Sequence, residues 1–385
     1  MPRRVALAAM TLVCASGLTS SFVDAQTTHR PQKTPSTASR HPSRTTRPAE
    51  APSGPTVVLR GTIARSDTTR PLAMSTVEIV ETHLRRFSDP NGHFAIKLPP
   101  GEYHLRVRQI GFKPRDTVVV LPASATTVDL TMTLTAVVLQ LRPMAVTALL
   151  HCSRPGVDSA DEPALYDIVA AVRENASREM LLRRSYPFEY RVDNIRTSTT
   201  VGDGAPYESA HDTLWYRSDR VASYAIGSTI FTDQTDPRGA GERMRLPATS
   251  DFADPHFLGT HCFAYDIAES GDYVLHFIPL DTISAPDVAG TVTLDSTSFV
   301  LRTLAVHLTR PQNVGAGFEQ LEVVTTYREA IRSVAIPASI VSKQRFRLMG
   351  DGAVQVIAEE KQVTRSLRFL GRVPDGVSKV TSAVW

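Results

Sequence analysis

The chain has 385 residues, 42% of them apolar and 21% charged, with a formal net charge of +3. That composition is globular, with room for two domains of ordinary size, and it excludes a chain disordered throughout. So small an excess of positive charge also excludes a general nucleic-acid-binding surface. The sequence begins with the basic start MPRR, the short apolar run VALAAMTLVCASGL and a small-x-small site, VDA, before Gln26. This is the pattern of a signal peptide over residues 1–25, and it predicts export to the periplasm or cell surface. The apolar run falls short of the about 20 residues that span a bilayer, so no transmembrane span is expected after cleavage. Cys14 follows Leu12 and Val13 rather than a small residue, which argues against an acylated cysteine.

Residues 26–55 hold five Lys or Arg against the single Glu50, with many Pro, Ser and Thr. They cannot bury enough apolar surface to offset their ordering entropy and read as a disordered basic linker. From Thr56 the pattern changes to strands. TVVLRGTIAR alternates, and MSTVEIVETHL runs on with Val77 and Ile79 on one face. After DPNG, Phe94, Ile96 and Leu98 share a face; after PPGE, Tyr103, Leu105 and Val107 do; VDLTMTL adds Val128, Leu130, Met132 and Leu134. Period-two alternation of this kind makes half-buried strands. Pro90 and Gly92 suit a turn that closes a hairpin, and Gly101 is expected to repeat it. The spacing predicts an antiparallel β-sandwich over residues 56–148.

The series Gly61, Pro71, Leu72, Val77, Asp89, Gly92 and Phe94, followed by LPPGEYHLRV and IGF, resembles the carboxypeptidase regulatory-like domain, a transthyretin-like sandwich of exported bacterial proteins. The resemblance implies a module that stands beside catalytic domains and itself carries no zinc ligands. No HxxE or HExxH occurs elsewhere in the chain, so peptidase activity is not expected. Residues 139–149, LQLRPMAVTAL, resemble the segment that follows this domain in outer-membrane receptor relatives, but no plug or long barrel comes after it. Glycan binding would need exposed aromatic faces, for which Phe87 and Phe112 are the candidates.

Residues 149–162 mix Pro, Gly and Asp and mark a boundary. Asp161 offers an N-cap and Pro163 a first turn. Leu165, Ile168, Val169, Val172, Ala176 and Met180 then recur at helical spacing to about Arg184, with Asp167, Arg173, Glu174 and Arg178 on the other face. The remainder alternates as strands, with Gly271 in one hairpin turn and DSTS in another. The fold class is therefore mainly β: an N-terminal sandwich, then a curved antiparallel β-meander with one amphipathic helix over 149–385. GTVTLDSTSFVLRTLAVHL, residues 290–308, resembles a hairpin of periplasmic lipoprotein carriers, whose half-barrels enclose an apolar groove.

Loss of Cys14 with the signal peptide leaves Cys152 and Cys262 in an oxidising compartment, where a disulfide is the default. It would close a loop of about 110 residues. The chain also resembles a group of exported bacterial proteins with a Cys-bearing helix entry and a later FLxxHCF segment, here Phe257 to Phe263, and that resemblance implies that Cys152 and Cys262 pair. Asp251, Asp254, His256 and His261, in SDFADPHFLGTHC, form the densest polar group and the candidate functional loop. They could build a hydrolytic or metal centre, or cap turns. With no GxSxG, no GxGxxG after a strand and no phosphate loop, no cofactor is implied. The sequence therefore predicts a non-catalytic envelope protein that binds a lipid or acyl ligand or an envelope partner, with a glycan-binding module and a hydrolase centred on the 251–262 loop as alternatives.

Overall fold

The computed structural model describes residues 55–139, 151–200, 206–218, 230–233, 241–246, 248–314, 317–348, 354–375, 377 and 380–381, with the backbone of 11–14. The linker up to residue 54 and residues 140–149 lie outside this set. The first body contains β1 (Val57–Arg65), β2 (Thr76–Ile79), β3 (Leu84–Phe87), β4 (His93–Leu98), β5 (Gly101–Arg108), β6 (Arg115–Leu121) and β7 (Thr127–Leu134). They form two sheets, ordered β4-β1-β7 and β3-β2-β5-β6. Leu59, Ile63, Phe94, Ile96, Leu105, Val107 and Met132 fill the space between them.

The alternation predicted the inward faces, but the connections differ from the expected hairpins. MSTVEIVETHL is two strands, not one, because His83 turns the chain at φ 52°. In DPNG, Gly92 takes the expected positive φ of 77° and the Asp89 carboxylate accepts the N–H groups of Asn91 and His93, both at 2.8 Å. That turn nevertheless carries the chain from β3 in one sheet to β4 in the other. PPGE carries it back to β5, without a positive φ at Gly101. β7 pairs with β1 in parallel, so the sandwich is not wholly antiparallel. It arrives from β6 in the opposite sheet, and a crossing between sheets leaves strand direction free where a hairpin would reverse it.

The second body starts with α1 (Pro163–Ser185), with Pro163 in its first turn as predicted. The N-cap is Glu162 rather than Asp161, and no side chain caps it. Then follow β8 (Phe188–Thr200), β9 (Pro206–Arg217), β10 (His261–Ile267), β11 (Tyr273–Pro279), β12 (Asp287–Leu294), β13 (Leu301–Thr309), β14 (Phe318–Ile331), β15 (Val334–Leu348) and β16 (Val354–Phe369). The segment Ile230–Asp233 pairs with Gly241–Leu246, which also meets Thr11–Cys14, in a small separate sheet. β10 to β16 run as the predicted meander. The β8-β9 hairpin joins the far side, where β8 pairs with β16, giving the order β9-β8-β16-β15-β14-β13-β12-β11-β10.

α1 lies against β10, β11 and β15. β11 and β15 are four places apart, about 19 Å at ordinary strand spacing, and a helix about 10–12 Å wide reaches both only if the sheet bends around it. Register shifts in β12–β13, β14–β15 and β8–β16 supply local twist. Ile168, Val172 and Leu182 of α1 share one apolar core with Phe188, Phe277, Leu304, Val323 and Phe369 of the sheet. The same core takes in Met74, Phe87 and Ile110 from the first body. The two bodies are thus joined by a shared interior rather than by a linker alone.

Candidate functional site

Of the four residues in the candidate loop, three make local structural bonds and none converges with another on an open cleft. Asp251 is buried, and its Oδ2 accepts the Ala248 N–H at 2.8 Å, closing a single 3-10 turn. Asp254 Oδ1 accepts the His256 N–H at 2.9 Å and caps the short helix Pro255–Leu258, while His256 itself is exposed. His261 is fully buried: Nδ1 lies 2.9 Å from the Phe257 carbonyl, and the ring stacks on Phe257 with centroids 4.0 Å apart. Burial lowers the His261 imidazole, against the pull of Asp287, whose Oδ1 is 3.9 Å from Nε2. A hydrolase needs its acid and base within reach of one substrate atom, and these residues are instead consumed by capping and packing. Among the described residues, no three or more His, Cys, Asp or Glu are placed to hold a metal ion.

Cys152 and Cys262 form a disulfide, with Cα atoms 5.5 Å apart. It fastens the segment before α1 to β10. The Gly156 N–H donates to the His261 carbonyl at 2.9 Å, and the Asp281 N–H to the Cys152 carbonyl at 3.0 Å. Gly156 thereby meets Cys262 in a single parallel bridge at the outer edge of the sheet.

The polar centre that sequence reading missed lies on α1. Glu174 and Arg178, placed by helical spacing on the face away from the core, are both buried, Arg178 completely. Its Nε donates to the Ser333 carbonyl at 2.9 Å, its Nη1 to Gln109 Oε1 at 3.0 Å, and its Nη2 to the Met74 carbonyl. One guanidinium fork therefore ties α1 to two segments of the sandwich and to the β14-β15 turn. Its plane lies 5.5 Å from the Phe87 ring centroid, and Glu174 Oε1 is 3.8 Å from Nη1. Burial lowers Arg178 to about 10 despite Glu174, and burial raises the Glu174 carboxyl despite Arg178. Further along, Asn175 accepts the Leu301 N–H and donates to the Phe299 carbonyl at 2.9 Å, while Arg183 holds buried Glu179 at 2.7 Å. A Glu-x-x-x-Arg spacing inside a helix was the one available signal, and it looks the same on a solvated face.

Phe87, a candidate sugar platform, is buried against Tyr186, and Phe112 is half-buried below Arg65. Phe87 offers no open face for stacking on a sugar, and Arg65 covers one face of Phe112.

Residues 58–134 match the family model of the carboxypeptidase regulatory-like domain. The match takes in nearly all of the first body and covers a fifth of the chain. No curated protein matches the chain. Among solved structures, a type II cohesin–X-dockerin complex from Acetivibrio cellulolyticus is 26% identical over 20% of this chain and 52% of that one, at TM-score 0.17. A Bacteroides fragilis protein of unknown function, described as membrane-associated, is 10% identical over 80% and 97%, at TM-score 0.18. MucB in complex with MucA is 10% identical over 50% and 93%, at TM-score 0.17. Among the described residues no helix is long and apolar enough to cross a membrane.

Proposed function

We propose that this is an exported, non-catalytic protein of the bacterial cell envelope, in which the regulatory-like domain and the nine-stranded sheet act as one rigid binding scaffold. The observation that carries this reading is the Arg178 clamp. A module serving as a loose spacer has no use for a buried arginine shared with its neighbour, whereas a scaffold of fixed geometry does. A carrier holding lipid under the concave face is less well supported. Phe252, Phe257 and Phe277 pack edge to face there, with centroids 4.9 to 5.8 Å apart, and α1 occupies the hollow. An envelope protein partner is the ligand class that fits such a filled body.

Export and cleavage are tested together. The full chain with a C-terminal tag, expressed in a Gram-negative host, should fractionate to the periplasm, give a mass starting at Gln26, and show no alkylatable thiol in denaturant. An uncleaved, reduced protein in the cytosolic fraction would sink the proposal.

A further inference from the structure

The seam between the regulatory-like domain and α1 is not closed along its whole length. Around Arg178 it is packed, but toward the start of the helix it opens into a cleft of about 400 Å³. Arg108 and Lys113, from β5 and the loop after it, line one side, and Tyr166, Ala170 and Arg173 of α1 line the other. Phe112, Val137 and Phe299 complete an apolar floor and wall. Tyr166 is 42% exposed, large for an aromatic on a helix whose second half is buried nearly all round.

The charge of this cleft is not balanced. Arg106, at its rim, is spent on Asp116, to which it donates twice at 2.7 Å. Arg108 lies 3.7 Å from Glu78, which Arg85 also holds at 2.8 Å, and its charge is felt by Glu174 and Asp116 as well. Arg173 and Lys113 have no ion pair within 4 Å among the described residues. On the acidic side, Glu174 lies at the base, shared with Arg178 and raised by burial. Asp167, also raised by burial, offsets part of the Lys113 charge. With Arg106 and Asp116 paired, the three cations Arg108, Lys113 and Arg173 face the two carboxylates Asp167 and Glu174 across a concave, partly apolar space, an excess of one positive charge whose field low-dielectric walls concentrate. A guanidinium fork suits a carboxylate or phosphate, and an aromatic beside it suits an apolar body.

We propose that this cleft is a binding site for a small amphiphilic anion, its carboxylate or phosphate head held by Arg108, Arg173 and Lys113, and its apolar portion laid against Tyr166 and Phe112. The proposal does not depend on where the protein resides, because binding is measured on the purified chain.

The test is calorimetric titration of the full chain at low ionic strength with three probes: octanoate, octylammonium and inorganic phosphate. Octanoate should bind at one saturable site, weaken as salt rises, and lose at least about tenfold in affinity in the double variant Arg173→Gln, Lys113→Gln. Both residues are exposed, so the variant keeps the fold, and matching thermal unfolding confirms it. Tyr166→Ala should weaken octanoate while leaving the feeble binding of phosphate as it was. The proposal is overturned if octanoate shows no saturable binding or is indifferent to the double variant. It is equally overturned if octylammonium binds as well, since charge would then be irrelevant, or if phosphate does, since the apolar wall would be.

Discussion

Arg178 shows what one buried charge asks of its surroundings. Taking a guanidinium out of water costs several kcal/mol, and here three acceptors from three separate segments offset that cost. Arg178→Ala should therefore lower unfolding stability by about 3–5 kcal/mol in urea titrations, because it strands Glu174 and the side chain of Gln109 without their partner. Arg178→Lys should recover little, since an ammonium on a flexible stem cannot reproduce the three-way fork. A loss under 1 kcal/mol for the alanine variant would show that water replaces the fork. None of this was legible in the sequence. Two of the three acceptors are backbone carbonyls, which every residue possesses, and Glu174 with Arg178 reads as an ordinary exposed helical ion pair. What was legible was the apolar half: Leu165, Ile168 and Val172 fell at helical spacing and are buried.

At the level of turns and strands, DSTS was identified as a hairpin turn, but not the work done by its first residue. Asp295 Oδ1 accepts the N–H groups of Thr297 and Ser298, at 3.0 and 2.7 Å, and Oδ2 pairs with Arg302. Burial alone would raise this carboxyl, yet the Ser298 and Arg302 bonds hold it at about 2. Its contribution is therefore present above the ordinary carboxylate range and is lost as pH falls toward 2. Asp295→Ala should cost about 1–2 kcal/mol at pH 7 and progressively less as pH falls through about 2, a convergence visible in paired denaturation curves. Replacing both Cys152 and Cys262 by Ser should cost about 4–5 kcal/mol by the loop-closure argument. It should also raise proteolysis just before α1, where the freed segment leaves β10; an unchanged cleavage pattern would mean that the backbone bonds of Gly156 and Asp281 hold it unaided. The turn around DPNG misled for a related reason. Its residues dictate a reversal of direction, and nothing in Pro90 or Gly92 says whether the chain returns to its own sheet or crosses to the facing one.

For the whole molecule, the shared core predicts shared fate. Calorimetry of the intact protein should give a single transition, whereas bodies joined only by a tether would melt in two. Residues 55–138 produced alone would bare Phe87, Met74 and Ile110 and should bind a hydrophobic dye that the full chain ignores. The pairing of β8 with β16 carries a further consequence, for the timing of assembly. A chain threaded amino end first delivers the seven strands of the module early, yet β8 must wait until nearly everything behind it has arrived before its ladder can close. During that interval the helix waits too, because one acceptor for its central arginine sits between β14 and β15. A nascent polypeptide halted before those strands is thus a completed sandwich trailing a sticky, unclosed remainder, the kind of species that holdase chaperones shelter and quality-control proteases remove.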